Sequence, residues 1–162
     1  LCDDAKNKQI MILAHNKSLL EYLYNAIEHR EMDTVGYYVG GMKQSELKYS
    51  ESKRIILGTY AMAEEALDIK TLSCLLLATP RSDVTQAVGR ILRMKHEQTI
   101  VVDIIDQHKT FKNQSKKRES FYKRNRYTII QCTYQQYPTF TPFHYTRRNT
   151  PAKKEYKCLI EL

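Results

Sequence analysis

The sequence lacks any apolar run long enough to cross a bilayer. Its longest uninterrupted stretches, such as Cys74–Ala78, stop after a few residues. No secretory leader is expected either, because the opening LCDDAKNKQIMILAH carries acids where a leader has cations. The four cysteines (Cys2, Cys74, Cys132 and Cys158) are scattered and form no C-x-x-C pair. That argues against a zinc site, and Cys74 sits in an apolar run as a buried reduced thiol would, so an intracellular protein without a membrane partner is expected. Proline is nearly absent from the first 130 residues, where Pro80 is the only one of four. Glycine is also sparse, at five residues, and one of the five lies inside a helical pattern. The first residue is not Met, so a piece of a longer protein is expected.

What is present suits a folded domain. A chain of 162 residues with 42% apolar and 27% charged residues can bury a real core, as one domain with an appendage. The net charge of +8 is unevenly spread. Residues 1–106 hold 13 Lys and Arg against 15 Asp and Glu, whereas residues 107–162 hold 13 against 3. A basic, Tyr-containing segment suits a nucleic-acid backbone, although a solvated tail that aids solubility has the same composition.

Short apolar runs alternate with amphipathic stretches. QIMILA (9–14), TVGYYV (34–39), RIILG (54–58), CLLLAT (74–79) and TIVVDII (99–105) read as strands. Between them lie helical patterns: one capped by Asn16 with Leu19, Leu23 and Ile27 on a shared face, one over MKQSELKYSES, one over AMAEEAL (61–67), and one over 83–93. A basic helix is expected from about Thr110 to Arg124, then YTII (127–130). Strands apolar on both sides, alternating with helices, predict an α/β domain with a parallel sheet covered on both faces. Sites in such domains lie on the loops at the carboxyl ends of the strands, here 15–17, 40–43, 58–61 and 80–83. After Ile130 the periodicity fails, and no repeats are detectable.

DVTQAVGRILR (83–93) places Val84, Ala87, Val88, Ile91 and Leu92 on one side of a helix at about 100° per residue. Gln86, Gly89, Arg90 and Arg93 occupy an arc of about 100° on the other. Mid-helix glycine costs about 1 kcal/mol relative to alanine. A missing side chain beside two guanidiniums lets a partner approach the backbone closely. The plainer alternative is an ordinary amphipathic helix with surface arginines, opened by a capping box at Asp83-x-x-Gln86.

The residues upstream favour the partner. ILGTYAMAEEALDI (56–69), one strand, and then QAVGRILR (86–93) resemble motifs V and VI of superfamily 2 helicases, in their second, C-terminal RecA-like lobe. MILAHNKSLLEYLYNAI (11–27) is similar to motif IV, and YYVGGMKQSE (37–46) to the segment after it. The phrasing looks most like the helicases of large DNA viruses, a subgroup similar to the poxviral transcript-release helicase. Ala66 departs from the usual glycine, which puts in doubt how the adjoining loop lies beside nucleotide or strand. The resemblance implies a RecA-like domain over 1–130 and a basic Tyr- and Pro-rich extension over 131–162.

It also implies roles. Arg93 and Arg90 would be arginine fingers for ATP hydrolysis, and Gln86 would bridge the γ-phosphate or attacking water to the other lobe. Asp68 would accept hydrogen bonds from the ribose, and Gly89 would clear space for the nucleotide. Thr59, His15, Asn16, Gly40 and Gly41 would line a phosphate track for nucleic acid, largely independent of base sequence. For His15 and Gly41 a purely local role, at a helix start and a turn, stays open. Neither G-x-x-x-x-G-K-[ST] nor D-E-x-[DH] occurs in the chain. ATP and Mg²⁺ would therefore be held mainly by an N-terminal RecA-like lobe, the implied partner, and the chain alone would be inactive. If viral, it would act in the host cytoplasm or nucleus, or in the virion. DNA versus RNA stays open, while the family analogy favours 3′→5′ movement. Two other readings stand beside this one: a non-catalytic RecA-like module that binds nucleic acid or protein through its basic region, and an unrelated α/β enzyme that recognises a phosphorylated substrate.

Overall fold

The computed structural model describes residues 8–65, 69–91, 99–106, 108–133 and 155–161. The chain runs β1 (Gln9–Ala14), α1 (Lys17–His29), β2 (Val35–Tyr38), α2 (Gln44–Glu51), β3 (Ile55–Thr59) and α3 (Tyr60–Glu65). It continues with β4 (Leu72–Leu77), α4 (Thr85–Ile91), β5 (Thr99–Ile105), α5 (Lys109–Arg124), β6 (Thr128–Thr133) and β7 (Glu155–Glu161). The strands form one sheet in the order β2-β3-β1-β4-β5-β7-β6, and every neighbouring pair is parallel.

This order dictates which face each helix covers. The α1 crossover carries the chain from β1 past β3 to the edge strand β2, and every later crossover up to β6 travels the opposite way. Right-handed connections running in opposite directions must lie on opposite faces. Accordingly, Ile12, Ala14, Ile55 and Leu57 pack with Leu20 and Ile27 of α1 on one face. Met11, Leu13, Ile56, Leu75, Leu77 and Val101 pack with Leu47 of α2, Ala63 of α3, Ala87 and Val88 of α4, and Tyr122 of α5 on the other. The parallel, two-faced α/β architecture is RecA-like, as the sequence implies. No helix among the described residues is long and apolar enough to cross a membrane.

Close packing fixes one glycine. A Cβ on Gly58 would lie 2.9 Å from Met11 Cε and 3.2 Å from the Tyr38 carbonyl oxygen, so the strands approach through the missing side chain.

Two local expectations need correction. Asn16 occupies the N-cap position of α1, but its side chain makes no capping hydrogen bond. The inward stripe of α1 is also turned slightly from the expected one: Leu20 and Ile27 are fully buried, while Leu19 and Leu23 flank them. Beyond Ile130, β6 continues to Thr133, and β7 enters the sheet between β5 and β6, an insertion that no sequence periodicity announced.

Candidate nucleotide and nucleic-acid interface

The carboxyl ends of β1, β3 and β4 lie side by side, which gathers their loops at one edge. The His15 amide donates to Thr79 Oγ1 at 3.1 Å, and His15 Nε2 lies 3.1 Å from the Pro80 carbonyl oxygen. Its ring also packs against Tyr60, with centroids 4.8 Å apart. Tyr60 is buried and donates its hydroxyl to the Thr79 carbonyl at 2.7 Å; burial pushes its phenol pKa well up, so it stays a neutral donor. Thr59 Oγ1 accepts from the Met62 amide at 3.5 Å at the start of α3. Lys17 Nζ donates to the Gly40 carbonyl at 3.3 Å, which ties the β2 loop to α1. Gly41 has φ +93°, a left-handed value that glycine adopts without a Cβ penalty. The structure thus brings His15, Thr59 and the Gly40–Gly41 turn to one edge and holds His15 to the β4 loop. Asn16 is exposed beside them.

Helix α4 follows the same edge. Val84, Ala87 and Val88 are fully buried, while Gln86 and Gly89 are exposed. A Cβ added to Gly89 meets nothing within 4 Å. Nothing among the described residues therefore demands glycine there. Arg90 reaches sideways: its Nη2 donates to the Glu64 carbonyl oxygen at 2.5 Å, linking α4 to the end of α3. The Glu64 carboxylate in turn pairs with Arg81 Nη2 at 2.6 Å. Arg81 is held on two more sides, since its Nε donates to the Asp83 carbonyl at 2.9 Å and its guanidinium lies 4.9 Å from the Tyr60 ring centroid. Asp68 and Arg93 lie outside the described residues.

Behind this loop sits a buried ion pair. Arg118 of α5 donates to Asp103 of β5 through Nε at 2.7 Å and Nη2 at 2.8 Å, with both side chains 1% exposed. The Tyr122 hydroxyl adds a third donor to the same carboxylate at 3.0 Å. The remaining Arg118 Nη1 donates to the Arg81 carbonyl oxygen, so the pair also fixes the loop that precedes α4. Burial opposes the Arg118 charge, yet the hydrogen bonds and the attraction of Asp103 carry its pKa above the ordinary value. Burial likewise raises the Tyr122 phenol, with the Asp103 charge adding to it.

Sequence reasoning missed Glu64, Arg81 and the Asp103–Arg118–Tyr122 cluster. One signal was available: an aspartate inside the apolar strand TIVVDII requires a buried partner. Nothing in the sequence distinguished Arg118 from the other cations of its helix.

The start of α4 is capped differently from the expected box. Asp83 Oδ1 accepts from the Thr85 amide at 2.9 Å, two residues on, instead of acting with Gln86. The Thr85 side chain first, and its amide second, hold the Asp83 carboxyl below its usual pKa. A lowered folded-state pKa gives stability that is present above the unfolded value of about 3.9 and lost as pH falls through the folded value. Asp83→Ala is therefore expected to cost about 1 kcal/mol at pH 7. In urea titrations the gap between wild type and variant should close as pH drops below about 4. A gap that does not change with pH would rule out the carboxylate as the cap.

No known protein-family profile matches the chain. Individual relatives do. A protein of Acanthamoeba polyphaga mimivirus named "Putative ATP-dependent RNA helicase L396" is 43% identical over 127 residues, covering 75% of this chain and 24% of the relative. "Putative ATP-dependent RNA helicase QP509L" of African swine fever virus is 32% identical over 139 residues, or 78% of this chain and 27% of the relative. "Putative helicase 161L" of Invertebrate iridescent virus 6 is 26% identical over 110 residues, or 65% and 24%. The chain spans about a quarter of the length of the curated relatives it matches. By sequence the chain is related to putative helicases of the large DNA viruses, and its all-parallel α/β fold is RecA-like.

Proposed function

We propose that this chain is the second RecA-like lobe of an ATP-dependent nucleic-acid helicase or translocase of superfamily 2. In this reading α4 is the wall that meets ATP across a cleft to a first lobe. The observation that carries it is the open flank of Gly89. The glycine costs helix propensity, fills no tight space among the described residues, and lies near exposed Gln86. An open backbone patch, an amide and two guanidiniums make a donor set suited to phosphate oxygens.

ATP, when bound, supplies the phosphoryl group transferred to water. This chain's part is to present Gln86, Arg90 and Arg93 to the phosphates and Asp68 to the ribose. Among the described residues no group of three or more His, Cys, Asp or Glu is placed to hold a metal ion. Mg²⁺, in this reading, is held mainly by the first lobe, and this chain contributes cations and amides. Thr59, His15, Asn16, Gly40 and Gly41 contact the nucleic-acid backbone from the carboxyl edge. The names of the relatives favour RNA as that nucleic acid. Without the first lobe the chain hydrolyses no ATP.

Gly89→Ala separates this reading from a structural one. In the isolated chain the substitution should raise stability by about 0.4–1 kcal/mol, because alanine is the better helix former and meets no neighbour. In the full-length protein the same methyl should lower ATP turnover. Unchanged or faster turnover in a stabilised variant would remove α4 from the cleft.

A further inference from the structure

Helix α5 presents a face that the ATP site and the phosphate track leave unused. Six cationic residues, Lys109, Lys112, Lys116, Lys117, Lys123 and Arg124, are exposed on it. At about 100° per residue they fall within an arc of about 140°, opposite the buried Arg118 and Tyr122. The one acid on the helix, Glu119, pairs with Lys123 at 2.6 Å at the edge of that arc. The first turn holds no acid, so Lys109 and Lys112 stand against the positive end of the helix dipole. Lys109, Lys112 and Lys116 also repel one another at spacings of three and four residues. A helix face that served only for solubility would mix signs and avoid both costs. The helix keeps its place because Arg118 and Tyr122 clamp it to Asp103.

We infer that this face binds the phosphate backbone of duplex nucleic acid, as a second contact beside the strand held by the sheet edge. The inference rests on the helicase reading for the presence of a duplex. Two features select the duplex over a single strand. Single-strand surfaces stack bases on aromatic rings. Here the rings of Phe121, Tyr122 and Tyr127 pack against one another, and Tyr122 is buried. The helix is about 24 Å long at 1.5 Å per residue. Over that length a duplex presents roughly one phosphate charge per 1.7 Å of axis, a far denser target than six cations need. Because α5 begins where β5 ends, the face starts at the same sheet edge as the proposed track.

The test is the triple variant Lys112→Glu, Lys116→Glu, Lys117→Glu in the full-length protein. These side chains are exposed and lie outside the Asp103–Arg118 pair, so unfolding transitions should match wild type. The probes are a mixed-sequence RNA duplex with a single-stranded 3′ tail, the tail alone, and polyglutamate, each titrated by fluorescence anisotropy at several salt concentrations. For the tailed duplex the slope of log affinity against log salt should fall by roughly 2–3, and affinity near 0.1 M salt by on the order of 10²-fold. Affinity for the tail alone, and its stimulation of ATP turnover, should stay near wild type. Unchanged duplex affinity and slope would overturn the inference while tail-stimulated turnover kept the helicase reading intact. Equal losses for duplex and tail would overturn the choice of duplex, and a loss confined to polyglutamate would make the face a site for acidic protein. A wild-type protein that turns over no ATP with any nucleic acid would instead sink the helicase reading.

Discussion

Replacing Arg93 with alanine in the full-length protein is expected to lower ATP turnover by about 10³-fold or more, with nucleotide affinity nearly intact. The expectation rests on the proposed helicase reading and on charge. Phosphoryl transfer concentrates negative charge on the transferring group, and a guanidinium delivered late, on closure of a cleft, stabilises that state more than the ground state. Arg93 follows Gln86 by seven residues and Arg90 by three, spacings that repeat on one side of a helix. Arg90 and Arg93 should then differ in their failure. Arg90 anchors α4 to the Glu64 carbonyl, so Arg90→Ala should lower stability as well as turnover. Arg93→Lys keeps the charge but loses the planar fork, and it should recover only part of the rate. Single-turnover kinetics and nucleotide binding measured in parallel would decide. A turnover near wild type in Arg93→Ala would end the finger assignment.

The second large effect is on stability. Arg118→Met leaves the Asp103 carboxylate buried, facing only the Tyr122 hydroxyl, and should cost about 3–5 kcal/mol. Removing both charges is different: Asp103→Leu with Arg118→Met replaces the pair by apolar volume and should restore most of the loss. Stability is read from urea unfolding of both variants beside the wild type. A single-variant cost below about 1 kcal/mol would mean that the pair is not buried as the structure has it. The double variant also tests whether the pair matters beyond stability. Arg118 holds the Arg81 carbonyl, and Arg81 reaches Glu64, to which Arg90 is bonded. If that chain positions α4, the refolded double variant should keep its stability and still turn over ATP more slowly. Arg81 and Glu64 are positioning residues in this account, since neither is argued to touch substrate.

The sequence by itself determined the element order as far as Ile130 and the fold class. TIVVDII, QIMILA and RIILG could only be buried strands, because apolar residues fall on both sides of each. The helix-forming stretches between them required crossovers, hence parallel strands. The buried side of α4 was legible for the same reason, since Val84, Ala87 and Val88 recur at helical spacing and are fully buried. The Gly89 anomaly was legible too, as a propensity cost with no local return. Tertiary structure alone decided the rest. Which helix faces which side follows from strand order, and strand order is set by contacts far apart in sequence, including the entry of β7 between β5 and β6. That Asp103 chooses Arg118 among seven cations on α5 depends on where the helix lies on the sheet, not on its periodicity. The tether from Arg90 through Glu64 to Arg81 joins three elements by side chains long enough to ignore sequence spacing. Local patterns act over a few residues and specify elements, whereas long polar side chains find partners only after those elements are packed.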